Sequence, residues 1–113
     1  MDIQSLLLSG YNLGDIKELL ALFVTNVNDA KKIITGNNDK QIKLTIHKLK
    51  GGLIMLEFKN LITLCSSIED KIRAHGVKPH LNIVNSLIDK CLSESIIASK
   101  NLEILISNND INS

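Results

Sequence analysis

The sequence predicts an all-α protein: an antiparallel four-helix bundle with a short additional N-terminal helix. Apolar residues recur every three or four positions along most of the chain, a spacing that places them on one face of an α-helix. No stretch alternates apolar and polar residues in the way that is typical of a half-buried strand. The breaks between the apolar stretches are short, so consecutive helices are expected to lie antiparallel.

Length and composition limit the classes of protein that the chain can represent. Its 113 residues suffice for one hydrophobic core, and a single domain over residues 1–113 is predicted, with residues 109–113 as a frayed tail. Aromatic residues make up only 3% of the chain, so leucine and isoleucine must fill the core. The net charge is +1, from interspersed basic and acidic side chains, which argues against a nucleic-acid-binding surface.

The same composition predicts a soluble, cytoplasmic protein without direct membrane contact. No apolar run approaches the roughly 18–20 residues of a membrane-spanning helix. The N-terminus also lacks the basic and then apolar pattern of a signal peptide. The two cysteines, Cys65 and Cys91, lie at apolar helical positions far apart in the sequence, which favours small buried side chains in a reducing compartment over a disulfide or a metal site.

The first two helices are predicted before residue 37. The segment from Asp2 to Ser9 has apolar residues on one face and is followed by Gly10, so a short helix that covers one end of the bundle is expected. Asn12 is a candidate N-cap for the next helix. The apolar stripe of that helix extends to Ile34, and Gly36 is its expected C′ residue.

A break is predicted between the third and fourth helices. The third runs from about Lys40 to about Leu56, after a turn and cap formed by residues 37–39. The apolar stripe that follows it would be rotated by roughly 90° if the helix continued, and one helix cannot face a single core with both stripes. The break is therefore expected at Glu57 to Lys59, although neither Gly nor Pro marks it.

Two more helices complete the predicted bundle. The fourth runs from about Asn60 to His75, and the last begins near Leu81 and continues through Leu105. Gly76 and Pro79 punctuate the connection between them. His75 and His80, which flank that turn, are interpreted as solvated turn residues.

One histidine of the third helix, His47, is predicted to face solvent. Core positions share a narrow stripe on this helix, and His47 lies well off it. The residues three, four and seven positions away share its side of the helix, and they are Lys43, Lys50, Gly51 and Ile54.

Two adjacent glycines follow the histidine inside the same helix. Each glycine costs roughly 0.5–1 kcal/mol relative to alanine in a helix interior, so a compensating role is expected. Gly51 lies one turn beyond His47, where the missing side chain lets a partner approach the imidazole. For Gly52, close helix packing and partner recognition are equally good explanations.

These residues match a known signature. The segment resembles the H-x-[LI]-K-G-[SAG] motif of histidine-containing phosphotransfer (Hpt) domains, and it reads His47-x-Leu49-Lys50-Gly51-Gly52. The resemblance continues on the next helix, where Ile68-Glu69 is similar to a frequent Leu-Glu pair of the family. Hpt domains are helical bundles, which agrees with the fold predicted from periodicity.

The resemblance implies a phosphohistidine carrier in a His-Asp phosphorelay. His47 would accept a phosphoryl group from a kinase or a receiver domain and pass it to a receiver aspartate. A neutral imidazole suits this role because histidine ordinarily titrates near pH 6.5 and its free nitrogen is nucleophilic. Lys50, with Lys43 as a second candidate, would offset the charge of the phosphoryl oxygens. By resemblance, Glu69 would accept a hydrogen bond from the other ring nitrogen.

The resemblance also implies the partners of the protein. They are a response-regulator receiver domain and a sensor histidine kinase, in the same polypeptide or a separate one. Lys43, Gly51 and Ile54 are the predicted partner-docking residues. No cofactor and no metal are expected, because the sequence has neither a Gly-rich phosphate loop nor an acidic cluster resembling a magnesium site. The protein is therefore interpreted as a carrier and not as an enzyme.

Two other interpretations stay open at this point. The first is a helical-bundle docking module that retains the fold and binds a receiver or kinase without accepting phosphate. A small hydrolase that uses His47 and Glu69 is disfavoured, since no Ser or Cys nucleophile is placed beside them.

Two departures from the family pattern bear on docking. Ile54 stands where a small residue is usual, and Glu57 stands where a glycine is usual.

Overall fold

The computed structural model describes residues 1–36 and 38–112, with side chains as far as residue 108. It has five α-helices, with a 3-10 turn at Lys78–His80, and their bounds are α1 Ile3–Leu8, α2 Leu13–Thr35, α3 Asp39–Met55, α4 Lys59–His75 and α5 Leu81–Asn112. Within the described ranges no strand occurs. The predicted all-α class is confirmed. The predicted frayed tail, residues 109–113, lies outside the residues whose side chains are described.

The four long helices close into a ring around one core. α2 packs against α3 and α5, α4 packs against the same two helices, and α1 packs against α2. Leucine and isoleucine dominate the buried positions. The rings of Phe23 on α2 and Phe58 before α4 stack with their centroids 5.6 Å apart. None of the described helices is long and apolar enough to cross a lipid bilayer.

Side-chain caps fix where α1, α2 and α3 begin, and Asp2 is the cap of α1. Asn12 Oδ1 accepts a hydrogen bond from the Asp15 amide at 2.7 Å, and the Asp15 carboxylate accepts one from the Asn12 amide, which forms a capping box. Asn38 Oδ1 accepts from the Gln41 amide at 3.0 Å and starts α3. Both predicted caps are confirmed.

The predicted role of Gly36 is wrong in detail. Gly36 is the C-cap of α2, and its φ of −69° is right-handed, so it does not occupy the left-handed C′ position. Its amide still bonds the carbonyls of the last helical turn. The reason is that α2 extends to Thr35, one residue beyond the last apolar position, which shifts the cap onto the glycine.

The break between α3 and α4 occurs where the rotation of the apolar stripes predicted it. α3 ends at Met55, and Glu57 turns the chain with a φ of 56°. This left-handed conformation costs a residue with a Cβ roughly 1–2 kcal/mol, a cost that glycine would avoid. The Glu57 carboxylate accepts a hydrogen bond of 2.9 Å from Ser5 Oγ, so it also ties α1 to the turn.

The turn after α4 differs from its prediction at one histidine. Gly76 has a φ of 80°, which glycine tolerates, and it leads into the 3-10 turn that contains Pro79. His75 is exposed, as predicted. His80 is half-buried, and its Nε2 atom has no hydrogen-bond partner among the described residues. The 3-10 turn packs against both α4 and α5, which removes this ring from full solvation.

Candidate functional site

The imidazole of His47 projects from α3 into solvent. Its side chain is 74% exposed, whereas the core stripe of the same helix, represented by Ile46 and Leu49, is buried. The predicted exposure of His47 is confirmed. An imidazole in this position is accessible to a partner protein.

Glu69 of α4 contacts this imidazole. Glu69 Oε2 lies 3.3 Å from His47 Nδ1, and the Glu69 side chain is only 17% exposed. Its neighbour Ile68 is buried against the core, which places Glu69 at the edge of the contact between α3 and α4. The carboxylate is thus held under the imidazole ring by a rigid helix.

Lys50 forms an ion pair with the other oxygen of the Glu69 carboxylate. Lys50 Nζ lies 3.2 Å from Glu69 Oε1, and the lysine side chain is 29% exposed. Oε1 is buried and has no aligned hydrogen bond from a described residue, so the contact is an ion pair and not a directed hydrogen bond. His47, Lys50 and Glu69, three residues singled out from the sequence, therefore lie together.

A cleft of about 180 Å³ opens beside Glu69, and its lining includes two cations. One is Lys43, which also pairs with Asp39 at 3.8 Å. The other is Arg73 of α4, which pairs with Asp70 at 3.4 Å. Sequence analysis missed Arg73. The available signal was its spacing, because a residue four positions after Glu69 lies on the same face of α4.

The two glycines of α3 have different surroundings. A Cβ added at Gly51 would meet no atom within 4 Å, so Gly51 leaves open surface beside His47. A Cβ added at Gly52 would lie 2.8 Å from Cδ1 of Phe23, so the missing side chain lets α2 approach α3. Close packing therefore explains Gly52.

Exposed apolar side chains border the histidine along α3. Ile54 is 54% exposed, in line with its predicted place on the side of His47. Leu44 and Met55 are exposed to a similar degree, and the sequence analysis did not select them. Both residues lie off the core stripe of α3, and this position could have identified them as exposed. Together these three side chains give the α3 surface an apolar character.

Both cysteines are free and buried, as predicted. Burial raises the pKa of the Cys65 thiol to about 11, with the charge of Glu69 as the second cause. Burial also raises the pKa of the Cys91 thiol to about 12. Neither thiol is a nucleophile at neutral pH, because the thiolate is the reactive form.

No metal site is evident in the described part of the chain. Among the side chains of residues 1–36 and 38–108, no group of three or more His, Cys, Asp or Glu is placed to hold a metal ion. The contacts around His47 instead suit group transfer, because they combine an exposed nitrogen with a carboxylate and a cation.

Comparison with known families identifies the chain. The model of the Hpt domain family matches residues 13–98. The chain belongs to the Hpt domain family. The matched stretch spans α2 to α4 and more than half of α5, and it includes the contact between His47 and Glu69. Searches of curated proteins and of solved structures returned no match.

Membership of this family establishes the general role of the chain. Hpt domains are phosphotransfer modules of His-Asp relays, and they are phosphocarriers rather than catalysts. They interact with receiver domains and with histidine kinases.

Proposed function

We propose that this Hpt domain carries a phosphoryl group on His47, which it accepts from a kinase or receiver domain and passes to a receiver aspartate. The observation that supports the proposal most directly is the contact of 3.3 Å between His47 Nδ1 and Glu69 Oε2 on an imidazole that is otherwise exposed. A carboxylate at Nδ1 favours the tautomer with the proton on that nitrogen. Nε2 then keeps its lone pair and faces the partner.

Transfer of the phosphoryl group from a receiver aspartate to His47 forms one bond and breaks one. The Nε2 lone pair attacks the phosphorus of the aspartyl phosphate, an N–P bond forms, the O–P bond breaks, and the aspartate carboxylate leaves. The ring becomes cationic, because Nδ1 keeps its proton. The Glu69 carboxylate, 3.3 Å from Nδ1, stabilises this cation through a charge-assisted hydrogen bond. The reverse sequence delivers the phosphoryl group to the next receiver.

Lys50 is proposed to contact the phosphoryl group during transfer. Before transfer its ammonium group is paired with Glu69 at 3.2 Å. An ammonium group has three donors, so it can contact a phosphoryl oxygen while it stays near the carboxylate. Lys43 and Arg73, on the adjacent cleft, would add positive potential to the same surface.

The docking surface is proposed to surround His47 on α3. Gly51 provides the gap through which the active site of a receiver reaches Nε2, and Lys43 provides charge beside it. Ile54 provides an apolar contact, and the exposed Leu44 and Met55 extend it. The domain would need no cofactor or metal of its own, and it would act in the cytoplasm beside its receiver and kinase partners.

Phosphorylation followed by intact mass spectrometry tests this function. The purified chain is incubated with a phosphorylated receiver or a small phosphoramidate donor, alongside His47→Gln and His75→Gln. His75 is also exposed but lies outside the site, which makes it a matched control. We expect a single acid-labile, alkali-stable phosphoryl adduct in the wild type and in His75→Gln, and no adduct in His47→Gln.

Failure of that experiment would separate the two candidate functions. A wild-type chain that binds a phosphorylated receiver but gains no adduct contradicts the carrier and favours a docking module. Retention of the adduct in His47→Gln would instead move the phosphoacceptor to another residue. Binding to the receiver is measured in the same samples by calorimetry.

A further inference from the structure

A buried thiol lies directly beneath the His47 site. Cys65 Sγ is 3.6 Å from the carbonyl oxygen of Ile46, and both residues are almost fully buried. That carbonyl belongs to the peptide group whose nitrogen is the amide of His47. In the regular hydrogen-bonding pattern of α3 the same oxygen accepts from the amide of Lys50. The thiol therefore touches a peptide group shared by two residues of the site.

The same cysteine is close to Glu69 along its own helix. Cys65 stands one turn before Glu69 on α4, so the two residues share a face of that helix. The contact from Cys65 to Ile46 thus joins the turn of α4 that precedes Glu69 to the turn of α3 that bears His47. It is a direct link between the two backbones that position the imidazole and the carboxylate.

The contact between Cys65 and Ile46 is better protected from water than the contact between His47 and Glu69. Water competes for the His47–Glu69 hydrogen bond, because the His47 side chain is 74% exposed. Water does not reach Cys65, whose exposure is 0%. The raised pKa of Cys65, about 11, keeps the thiol protonated at neutral pH, and a protonated thiol is the form that donates to a carbonyl.

We propose that Cys65 is a positioning residue, which sets the register of α3 against α4 and so holds His47 Nδ1 within hydrogen-bonding distance of Glu69. Its effect on phosphotransfer rests on the proposed function of His47. Its effect on the imidazole does not, since the tautomer of His47 depends on the contact with Glu69 whether or not phosphate is accepted.

Three variants separate positioning from general packing. Cys65→Val removes the donor and leaves a somewhat larger apolar side chain, and Cys65→Ser restores a donor. Cys91→Val makes the same change at an equally buried cysteine on α5, outside the contact between α3 and α4. The proportion of the two His47 tautomers is read from the ¹⁵N shifts of the ring nitrogens, and the initial rate of phosphorylation is measured in parallel.

We expect Cys65→Val to lower the ratio of the Nδ1–H tautomer to the Nε2–H tautomer by about threefold, near the lower end of the range for loss of one hydrogen bond, because a thiol is a weak donor. The phosphorylation rate should fall by a similar factor. Cys65→Ser should recover most of both values, and Cys91→Val should stay within about twofold of the wild type.

The proposal is overturned if Cys65→Val and Cys91→Val have the same tautomer ratio. It is also overturned if Cys65→Ser does no better than Cys65→Val. Should the valine variant not fold, Cys65→Ala removes the same donor, and the comparison with serine is repeated. A wild type that takes no phosphate refutes the carrier function, while the tautomer ratios still decide the role of Cys65.

Discussion

Lys50 Nζ lies 3.2 Å from Glu69 Oε1, so the carboxylate that contacts His47 also holds a lysine. Glu69 is therefore shared between the imidazole, which becomes cationic in the proposed phosphotransfer, and the ammonium group of Lys50. Loss of the carboxylate charge would have two opposite effects. It would free Lys50 for the phosphoryl oxygens, and it would remove the compensating charge from the ring.

Glu69→Gln is predicted to slow phosphorylation of His47 by about tenfold, because a charge-assisted hydrogen bond to the ring is worth about 1.5–3 kcal/mol and freeing Lys50 recovers part of it. The initial rate is measured with a phosphorylated receiver. Glu103→Gln is the matched control, since Glu103 is exposed on α5, outside the contact between α3 and α4. A faster reaction in Glu69→Gln would show that release of Lys50 dominates.

The glycine pair of α3 provides a prediction with its own internal control. Gly52→Ala would place a Cβ 2.8 Å from the ring of Phe23, so we expect it to destabilise the fold by about 1–3 kcal/mol. Gly51→Ala meets no atom within 4 Å and should stabilise α3 by roughly 0.5–1 kcal/mol. Urea unfolding of the two variants and the wild type measures both changes.

The same two variants also separate stability from docking. Gly51→Ala adds a methyl group beside His47, so we expect weaker receiver binding despite a more stable fold. The receiver affinity is compared by calorimetry under conditions where both proteins are fully folded. Equal affinity for wild type and Gly51→Ala would mean that the gap beside the histidine is not used for docking.

Periodicity and capping were enough to predict the helices, because each depends on neighbours along the chain. The break near Glu57 followed from the rotation of the apolar stripes, but the left-handed conformation that makes the break did not, since no glycine marks it. Arg73 and the contact of Cys65 with Ile46 were not predicted either. The place of Arg73 could have been predicted from its spacing to Glu69 on α4, whereas the contact of Cys65 depends on how α4 is rotated against α3, which a single-helix pattern does not define.

Glu57 combines an unfavourable backbone conformation with a favourable contact, and the two can be measured separately. Its φ is 56°, and its carboxylate accepts a hydrogen bond from Ser5 Oγ at 2.9 Å. Ser5→Ala removes the hydrogen bond and should cost about 0.5–1.5 kcal/mol in the free energy of unfolding. Adding Glu57→Gly to Ser5→Ala should then restore about 1 kcal/mol, because glycine adopts the left-handed conformation without a Cβ clash.

Thermal or urea unfolding of the wild type, both single variants and the double variant completes this cycle. Glu57→Gly alone is expected to be closer to neutral, since it loses the contact with Ser5 while it relieves the backbone. If glycine destabilises the chain even with Ala at position 5, then the carboxylate has further stabilising contacts at the turn.

The raised pKa values of the two buried thiols lead us to expect a lower free energy of unfolding in alkali. Burial raises the pKa of Cys65 to about 11 and that of Cys91 to about 12, from a starting value of 9.0. Above that starting value the unfolded chain releases thiol protons that the folded chain retains. Folding stability is therefore complete below about pH 9 and falls as the pH rises toward 11–12, by at most about 1.4 kcal/mol per pH unit for each thiol.

Urea unfolding at about pH 8 and about pH 10 measures this slope in the wild type, Cys65→Val and Cys91→Val. The three proteins share every other titratable side chain, so the difference between them isolates the thiols. Each valine variant should lose part of the alkaline decrease, because it has no thiol proton to release on unfolding. An identical decrease in all three proteins would mean that the folded and unfolded thiols titrate alike, and that neither cysteine is shielded from water.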